Sequence, residues 1–191
     1  RCTAASSSGV SCMRSTVPAA TDIAAAPDLA PHSTSRAPHS YADRMVRIHP
    51  VAAADRADWE RLWAGYLDFY ETALDAATTE TTFARIIDPA SGMRAALARD
   101  DAGRAVGLVQ WLTHPATWTR SDYCYLEDLF VDPEARGGGT GAALIEHVRA
   151  WAEAHGSSKV YWLTAETNAV ARRLYDLVAT ASGMVQYQIP L

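Results

Sequence analysis

The sequence contains no apolar run approaching the roughly 18–20 residues that a membrane-spanning helix needs, so no segment is expected to cross a bilayer. Basic charge is also in deficit: Lys and Arg number 17 against 22 Asp and Glu, a formal net charge of −5. Binding to a phosphate backbone rests on clustered Lys and Arg, so nucleic acid is not an expected partner. Cysteine is scarce. Cys2, Cys12 and Cys124 are odd in number, widely spaced and free of any C-x-x-C pattern. That argues against a disulfide framework or a zinc site and for a reducing compartment, here the cytoplasm. Cys124, inside an apolar run, is expected to be a buried, inert thiol. The six histidines are scattered, and His147 and His155, eight apart on one helical pattern, make no local ligand pair. No metal is expected.

Residues 1–44 are rich in Ala, Ser, Thr and Pro and poor in large apolar side chains. Such a stretch cannot bury enough surface to offset its ordering entropy, and it reads as a disordered leader. It lacks the apolar centre of a secretory signal. A Ser-rich, Arg-containing leader also fits an organelle transit peptide, which would change the location, or sequence upstream of a start at Met45. Residues 45–191 then read as one domain, long enough to bury a core.

Within that domain, residues 45–48 alternate like a short strand ending at Pro50. Asp55 or Asp58 can cap a helix carrying Trp59, Leu62, Trp63, Tyr66, Leu67 and Tyr70 at helical spacing. A second helix is expected over 81–87, before Pro89. Residues 94–99 and 105–113 read as antiparallel strands joined by a turn at Asp101-Ala102-Gly103, and 123–131 as a longer strand ended by Asp132-Pro133. Leu144, Val148, Trp151 and Ala152 mark a helix running from a glycine loop to Gly156. Residues 160–163 form a short apolar strand of the buried type. Residues 168–179 are helical, with Val170, Leu174, Leu177 and Val178 on the packing stripe, and 185–189 close the chain as a strand. The order β-α-α-β-β-β-α-β-α-β predicts an α/β fold with a mixed central sheet flanked by helices.

The strongest chemical signal is Arg136-Gly137-Gly138-Gly139-Thr140-Gly141, between a strand and a helix. Consecutive glycines let backbone N–H groups approach an anion without interference from Cβ. The following helix adds its free N-terminal N–H groups and the positive end of its dipole. Together they form a pyrophosphate cradle, to which Arg136 can add a charge-assisted contact. No Gly-Lys-Ser/Thr follows, so the loop is not a P-loop, and the spacing is not that of a dinucleotide fold.

This pattern resembles the GNAT superfamily. Its signature, Arg or Gln, two residues, Gly, one residue, then Gly or Ala after an apolar strand and a Pro, is matched by residues 129–141. Its second signature is matched by Asn168-x-x-Ala171-x-x-Leu174-Tyr175. The resemblance covers residues 45–191 and implies the GNAT fold, with strands splayed at an acetyl-CoA site and no metal. It implies that Leu129, Phe130 and Val131 pair with the pantetheine arm and that Gly137, Gly138, Gly139, Thr140, Gly141 and Ala142 hold the pyrophosphate. Residues 161–163 would splay away, and Asn168 and Ala171 would line the cofactor's other side. Tyr175 would be the acid that protonates the departing thiolate, as a tyrosine with pKa near ~10 stays protonated. Helix spacing alone would make Tyr175 an aromatic on a packed helix.

Glu127 and Asp128 sit inside a strand that otherwise reads as buried, and interior acids need a hydrogen bond, an ion pair or a function. An ideal strand aims successive residues to opposite faces; a bulge could re-aim one of them. One functional and one structural acid are expected. Residues 125–131 with the Arg-Gly-x-Gly-x-Gly loop are similar to the diamine and spermidine/spermine N-acetyltransferase branch. There the resemblance makes Glu127 the group that binds and deprotonates the amine, and Asp128 part of the acidic site. Residues 162–175 and 182–187 resemble fungal and bacterial histone- or D-amino-acid-acetylating relatives. Residues 175–184 depart from the pattern, with a longer helix and Met184 where many relatives carry Phe. On the acceptor side Tyr70 and Glu71 suit an amine through cation–π and ionic contacts. Trp111, His114, Trp118 and Asp122 are placed around a loop near the cleft. The expected activity is direct transfer of acetyl from acetyl-CoA to a primary amine of a polyamine, diamine or amino acid. The alternatives are a protein lysine or N-terminal acceptor, or a non-catalytic acyl-CoA-binding module. Family members commonly pair through the C-terminal strand, so the resemblance also implies a homodimer.

Overall fold

The computed structural model describes residues 46–190. The expected leader, residues 1–44, lies outside them. In chain order the elements are β1 (Arg47–Pro50), α1 (Arg56–Phe69), α2 (Ala76–Ile87), β2 (Met93–Arg99), β3 (Ala105–His114), β4 (Tyr123–Val131), α3 (Thr140–Ala154), β5 (Val160–Tyr161) and α4 (Ala169–Val178). The strands lie side by side in chain order. β1 to β4 are antiparallel, and β5 joins β4 in parallel. The α/β class and the mixed sheet are as expected from the pattern.

Each face of the sheet carries its own core. On one face Trp59, Leu62 and Trp63 of α1 and Phe83 and Ile86 of α2 pack on Leu97, Leu108 and Phe130. On the other, Leu144, Ile145, Val148 and Ala152 of α3 pack on Ala96, Val109, Trp111, Cys124 and Leu126. β3 supplies both, because its side chains alternate between faces. Gly107 lies under the first turn of α3, where an added Cβ would stand 2.9 Å from Leu144 Cδ1 and 3.1 Å from Thr140 Cγ2. The missing side chain lets α3 sit directly on the sheet and fixes where its N-terminus points. Cys124 is fully buried, which pushes its thiol up to about 11, as an inert core thiol should be.

Four details differ from the sequence expectations. α2 begins earlier, at Ala76, because the Asp75 carboxylate accepts from Thr78 N at 2.6 Å and caps it. β5 is only Val160–Tyr161, with Trp162 and Leu163 already outside the sheet. Residues 185–189 form no strand: Val185, Tyr187 and Ile189 alternate as a strand would, yet are 75 %, 91 % and 88 % exposed. Alternation records a preference, whereas a strand also requires a hydrogen-bonding neighbour. The stripe expected on α4 is also displaced. Val170 and Leu177 are exposed, while Leu174 and Tyr175 pack inward on the α3 side. The helix is rolled so that positions 171, 174 and 175 face the sheet.

Gly107→Ala should destabilise the protein by roughly 1–3 kcal/mol, as overpacking does in a close-packed interior. Equilibrium denaturation reads this, and an unchanged midpoint would show that α3 does not need the close approach.

Candidate active site

β4 and β5 pair only at Cys124 with Val160 and Tyr125 with Tyr161. β4 then runs on to Val131 while the other chain leaves the sheet, so the two parallel strands part and open a notch. Among the described residues no strand covers β4 on that side beyond Tyr125, and Leu129, Phe130 and Val131 lie along the open edge. Outward backbone groups on this edge, apart from the Val131 carbonyl, are available to an extended ligand arm. The Val131 carbonyl accepts from Arg136 Nε at 3.0 Å.

At the end of the notch a short 3-10 turn, Pro133–Ala135, leads into the glycine loop and α3. Gly137 and Gly139 have φ of 81° and 84°, the left-handed region that L side chains disfavour. A Cβ at Gly137 would meet nothing within 4 Å, so the space above that position is open. Gly139 is the N-cap of α3 and no side chain caps the helix, which leaves its first-turn N–H groups and dipole facing that space. These features fit a pyrophosphate held by the backbone of Gly138, Gly139, Thr140, Gly141 and Ala142. The Thr140 side chain is buried, so only its N–H can contribute. Arg136 stands at the entrance with its guanidinium 5.8 Å from the ring centroids of both Phe69 and Phe130.

The acids sit where β4 is irregular. Gln110 pairs with Asp128 and Trp111 with Leu126, so Glu127 is an extra residue, a β-bulge. The bulge shifts the alternation. Leu126 belongs to the α3-side core, whereas Phe130 belongs to the α1-side core. Asp128 thereby faces α1, where it accepts from Gln110 Nε2 at 2.7 Å and meets the Tyr66 hydroxyl. Glu127 is near enough to the same place for its charge to act on Tyr66 as well. Burial, offset by Tyr66 and Gln110, raises the Asp128 carboxyl. Partial desolvation and then the Asp128 charge raise Glu127. Tyr66, Tyr70 and Tyr125 are all raised, by burial first and then by these acids.

Tyr175 packs edge-to-face on Trp162 with centroids 5.3 Å apart. Burial, then Tyr70, pushes its hydroxyl up to about 12, so it is protonated throughout the neutral range. Tyr70 thus feels the Asp128 charge and in turn acts on Tyr175. A cavity of about 450 Å³ is lined by Phe69, Tyr70 and Glu71 at the end of α1 and by Thr167, Asn168 and Val170 at the start of α4. Asn168 also caps α4, accepting from Ala171 N at 3.3 Å, which is a structural reason for that residue. Glu71 sits at φ 50° and closes α1 through its N–H to Asp68 O and Thr72 N–H to Leu67 O. Glycine is the usual residue there; a glutamate carries left-handed strain of roughly 1–2 kcal/mol.

The structure therefore brings Glu127, Asp128, Tyr70 and Tyr175 together, with Glu71 and Asn168 at the adjoining cavity. Gln110 was not singled out by sequence reasoning, and Tyr66 was read as part of the packing stripe of α1. The available signal was one amide inside an otherwise apolar strand, because a buried polar group needs a partner. Trp111 does not line the cleft: it is buried on the opposite face, against Trp151 of α3. Trp118 is 90 % exposed, and the His114 ring bonds to the Tyr161 hydroxyl at 2.9 Å.

Comparison with known proteins agrees with this geometry. Residues 59–177 match the acetyltransferase (GNAT) family. The chain is 37% identical over 147 residues to a D-amino-acid N-acetyltransferase of Saccharomyces cerevisiae, an alignment covering 76% of this chain and 91% of that one. A ribosomal-protein-alanine N-acetyltransferase from Brucella melitensis biovar Abortus 2308 shares the fold at TM-score 0.66 and 23% identity, over 77% of this chain and all of that one (100%). An aminoglycoside N-acetyltransferase solved in complex with CoA shares it at TM-score 0.63 and 18% identity, over 81% of this chain and 98% of that one. The notch, the glycine loop and the sequence match have one explanation: the chain belongs to the GNAT acetyltransferase family and is an acyltransferase.

Proposed function

We propose that this enzyme acetylates the primary amine of a small molecule, a polyamine, diamine or amino acid, by direct transfer within one domain spanning residues 45–191. The observation that carries the reading is the bulge at Glu127, which sets two carboxylates and several tyrosines on one face beside the notch. Acidic and aromatic groups suit a small cation. The yeast relative's D-amino-acid activity and the aminoglycoside acetyltransferases among the structural neighbours point the same way. Bound acetyl-CoA would supply an activated thioester. Leu129, Phe130 and Val131 would hold its arm, Arg136, Gly137, Gly138, Gly139, Thr140, Gly141 and Ala142 its phosphates, with Asn168 and Ala171 beside it. Asp128, Tyr70 and Glu71 bind the ammonium. Glu127 takes its proton, directly or through water, and Tyr175 gives one to the departing thiolate.

The reading also includes a homodimer paired through the C-terminal segment, supported by the exposed Met184, Val185, Tyr187 and Ile189. Its location in the cytoplasm rests on cysteine usage, and the mass in solution checks the pairing. An acceptor screen of purified protein over polyamines, D- and L-amino acids and a histone-tail peptide, reading free thiol, tests the assignment. Turnover of the peptide alone would move the acceptor to protein, and no turnover of any acceptor would sink the catalytic reading.

Tyr175→Phe should lower kcat roughly 10²-fold or more with little change in CoA binding. Full turnover in that variant would leave Tyr175 as packing. For Glu127 the sign is set by the base, which acts as carboxylate. Activity through it is lost as pH falls through its raised pKa and is present above it. Glu127→Gln should therefore lose most rate near neutrality, about 10²-fold, and recover as pH approaches the amine's own pKa. A wild-type to variant ratio that stays flat across pH would rule out that role.

A further inference from the structure

The amide of Gln110 is 1 % exposed and lies in the middle of β3, on the face covered by α1. It bridges two elements. Trp59 Nε1 of α1, itself fully buried, donates to Gln110 Oε1 at 2.9 Å, and Gln110 Nε2 donates to Asp128 Oδ2 of β4 at 2.7 Å. An indole N–H can only donate, so the amide oxygen is committed to Trp59 and only the amide nitrogen is left for Asp128. The orientation of the amide follows from chemistry. The groups facing Asp128 are Tyr66 and Tyr70 from α1, Gln110 from β3, and Glu127 and Tyr125 from β4. Among the described residues no Lys or Arg forms an ion pair with it. A carboxylate desolvated without a cation depends on neutral donors, here Gln110 and Tyr66.

We infer that Trp59 and Gln110 are positioning residues that hold Asp128 as a fixed carboxylate, leaving adjacent Glu127 as the acid that exchanges a proton with the acceptor amine. This rests on the amine-acetylating reading above and assigns different work to two neighbouring carboxylates. With its oxygen turned to Trp59, Gln110 presents only N–H to Asp128 Oδ2, so a proton on Oδ2 would set O–H against N–H and a proton on Oδ1 would leave a weaker bond to a neutral carbonyl oxygen. The standing negative charge attracts the acceptor's ammonium and makes Glu127 a stronger base toward it. Trp59 spends its single hydrogen-bond donor on the amide and acts through it.

The test is a carbon-13 NMR titration of aspartate-labelled full-length protein, with the Asp128 signal identified by its loss in Asp128→Asn. Gln110→Met keeps the volume and removes the donor. It should raise the Asp128 midpoint by roughly one to two pH units. The acceptor KM should rise about tenfold while that for acetyl-CoA holds. Trp59→Phe should shift the midpoint in the same direction by less, because the freed amide can turn over. Trp59→Phe with Gln110→Met should match Gln110→Met alone, since Trp59 acts through Gln110. That double variant removes both ends of the Trp59–Gln110 bond, which protects folding if either single variant is unstable. An unmoved midpoint in Gln110→Met or in the double variant, or additive shifts, would overturn the inference. The titration uses no substrate, so its failure is distinct from an acceptor screen that finds no amine.

Discussion

One extra residue in β4 governs the chemistry of this fold. Without the bulge opposite Gln110 and Trp111, the alternation that puts Cys124 and Leu126 against α3 would carry Asp128 to that side as well. A carboxylate there would be set among Leu144, Val148 and the other apolar side chains of the α3-side core, where an unpaired acid costs several kcal/mol. With the bulge, Asp128 and Phe130 turn to α1, where Gln110 and Tyr66 can satisfy the acid. The same irregularity keeps Glu127 off the regular ladder, open to solvent and next to Asp128, so neighbouring charge shifts its proton affinity. A one-residue slip in pairing thus turns one acid toward its donors and leaves its neighbour open to solvent, which makes the pair a site.

A second constraint, the parting of β4 and β5, places the cofactor. Two parallel strands that stay paired would bury their backbone groups in a ladder. Here pairing stops after Tyr125 and Tyr161, and the edge of β4 that carries Leu129 and Val131 remains open. The edge leads straight to the glycine loop, and α3 is held close over the sheet because Gly107 has no side chain. The notch and the helix N-terminus are therefore one continuous feature: an extended arm along β4 ends at the donors that would receive its phosphates. Tyr175 reaches the same region from α4, fixed by its contact with Trp162.

The aromatic stripe of α1 has more than one role along its length. Trp59, Leu62 and Trp63 are core, as their spacing implied. Tyr66 and Tyr70, further along the same helix, carry their hydroxyls to Asp128 and toward Tyr175. Trp59, although core, spends its one polar atom on Gln110, so packing and site electrostatics share a residue. Burial lowers the local dielectric and makes each of these hydrogen bonds count for more.

The sequence by itself determined the α/β order of elements from β1 to α4, the anion loop and the identities of the acids and Tyr175. Those features are local: turn residues, periodicity and spacing are written in neighbouring positions. The GNAT motifs sharpened them further. The strand expected at 185–189 and the packing face of α4 were not legible. A strand needs a partner and a helix face needs a surface to lie on, and neither is encoded in the segment itself. Tertiary structure alone decided that Gln110 stands between Trp59 and Asp128, residues 51 and 18 positions away along the chain. Nothing in a run of apolar residues announces which amide will be buried or what it will face. The register of β3 against β4 sets that, and the bulge at Glu127 sets the register.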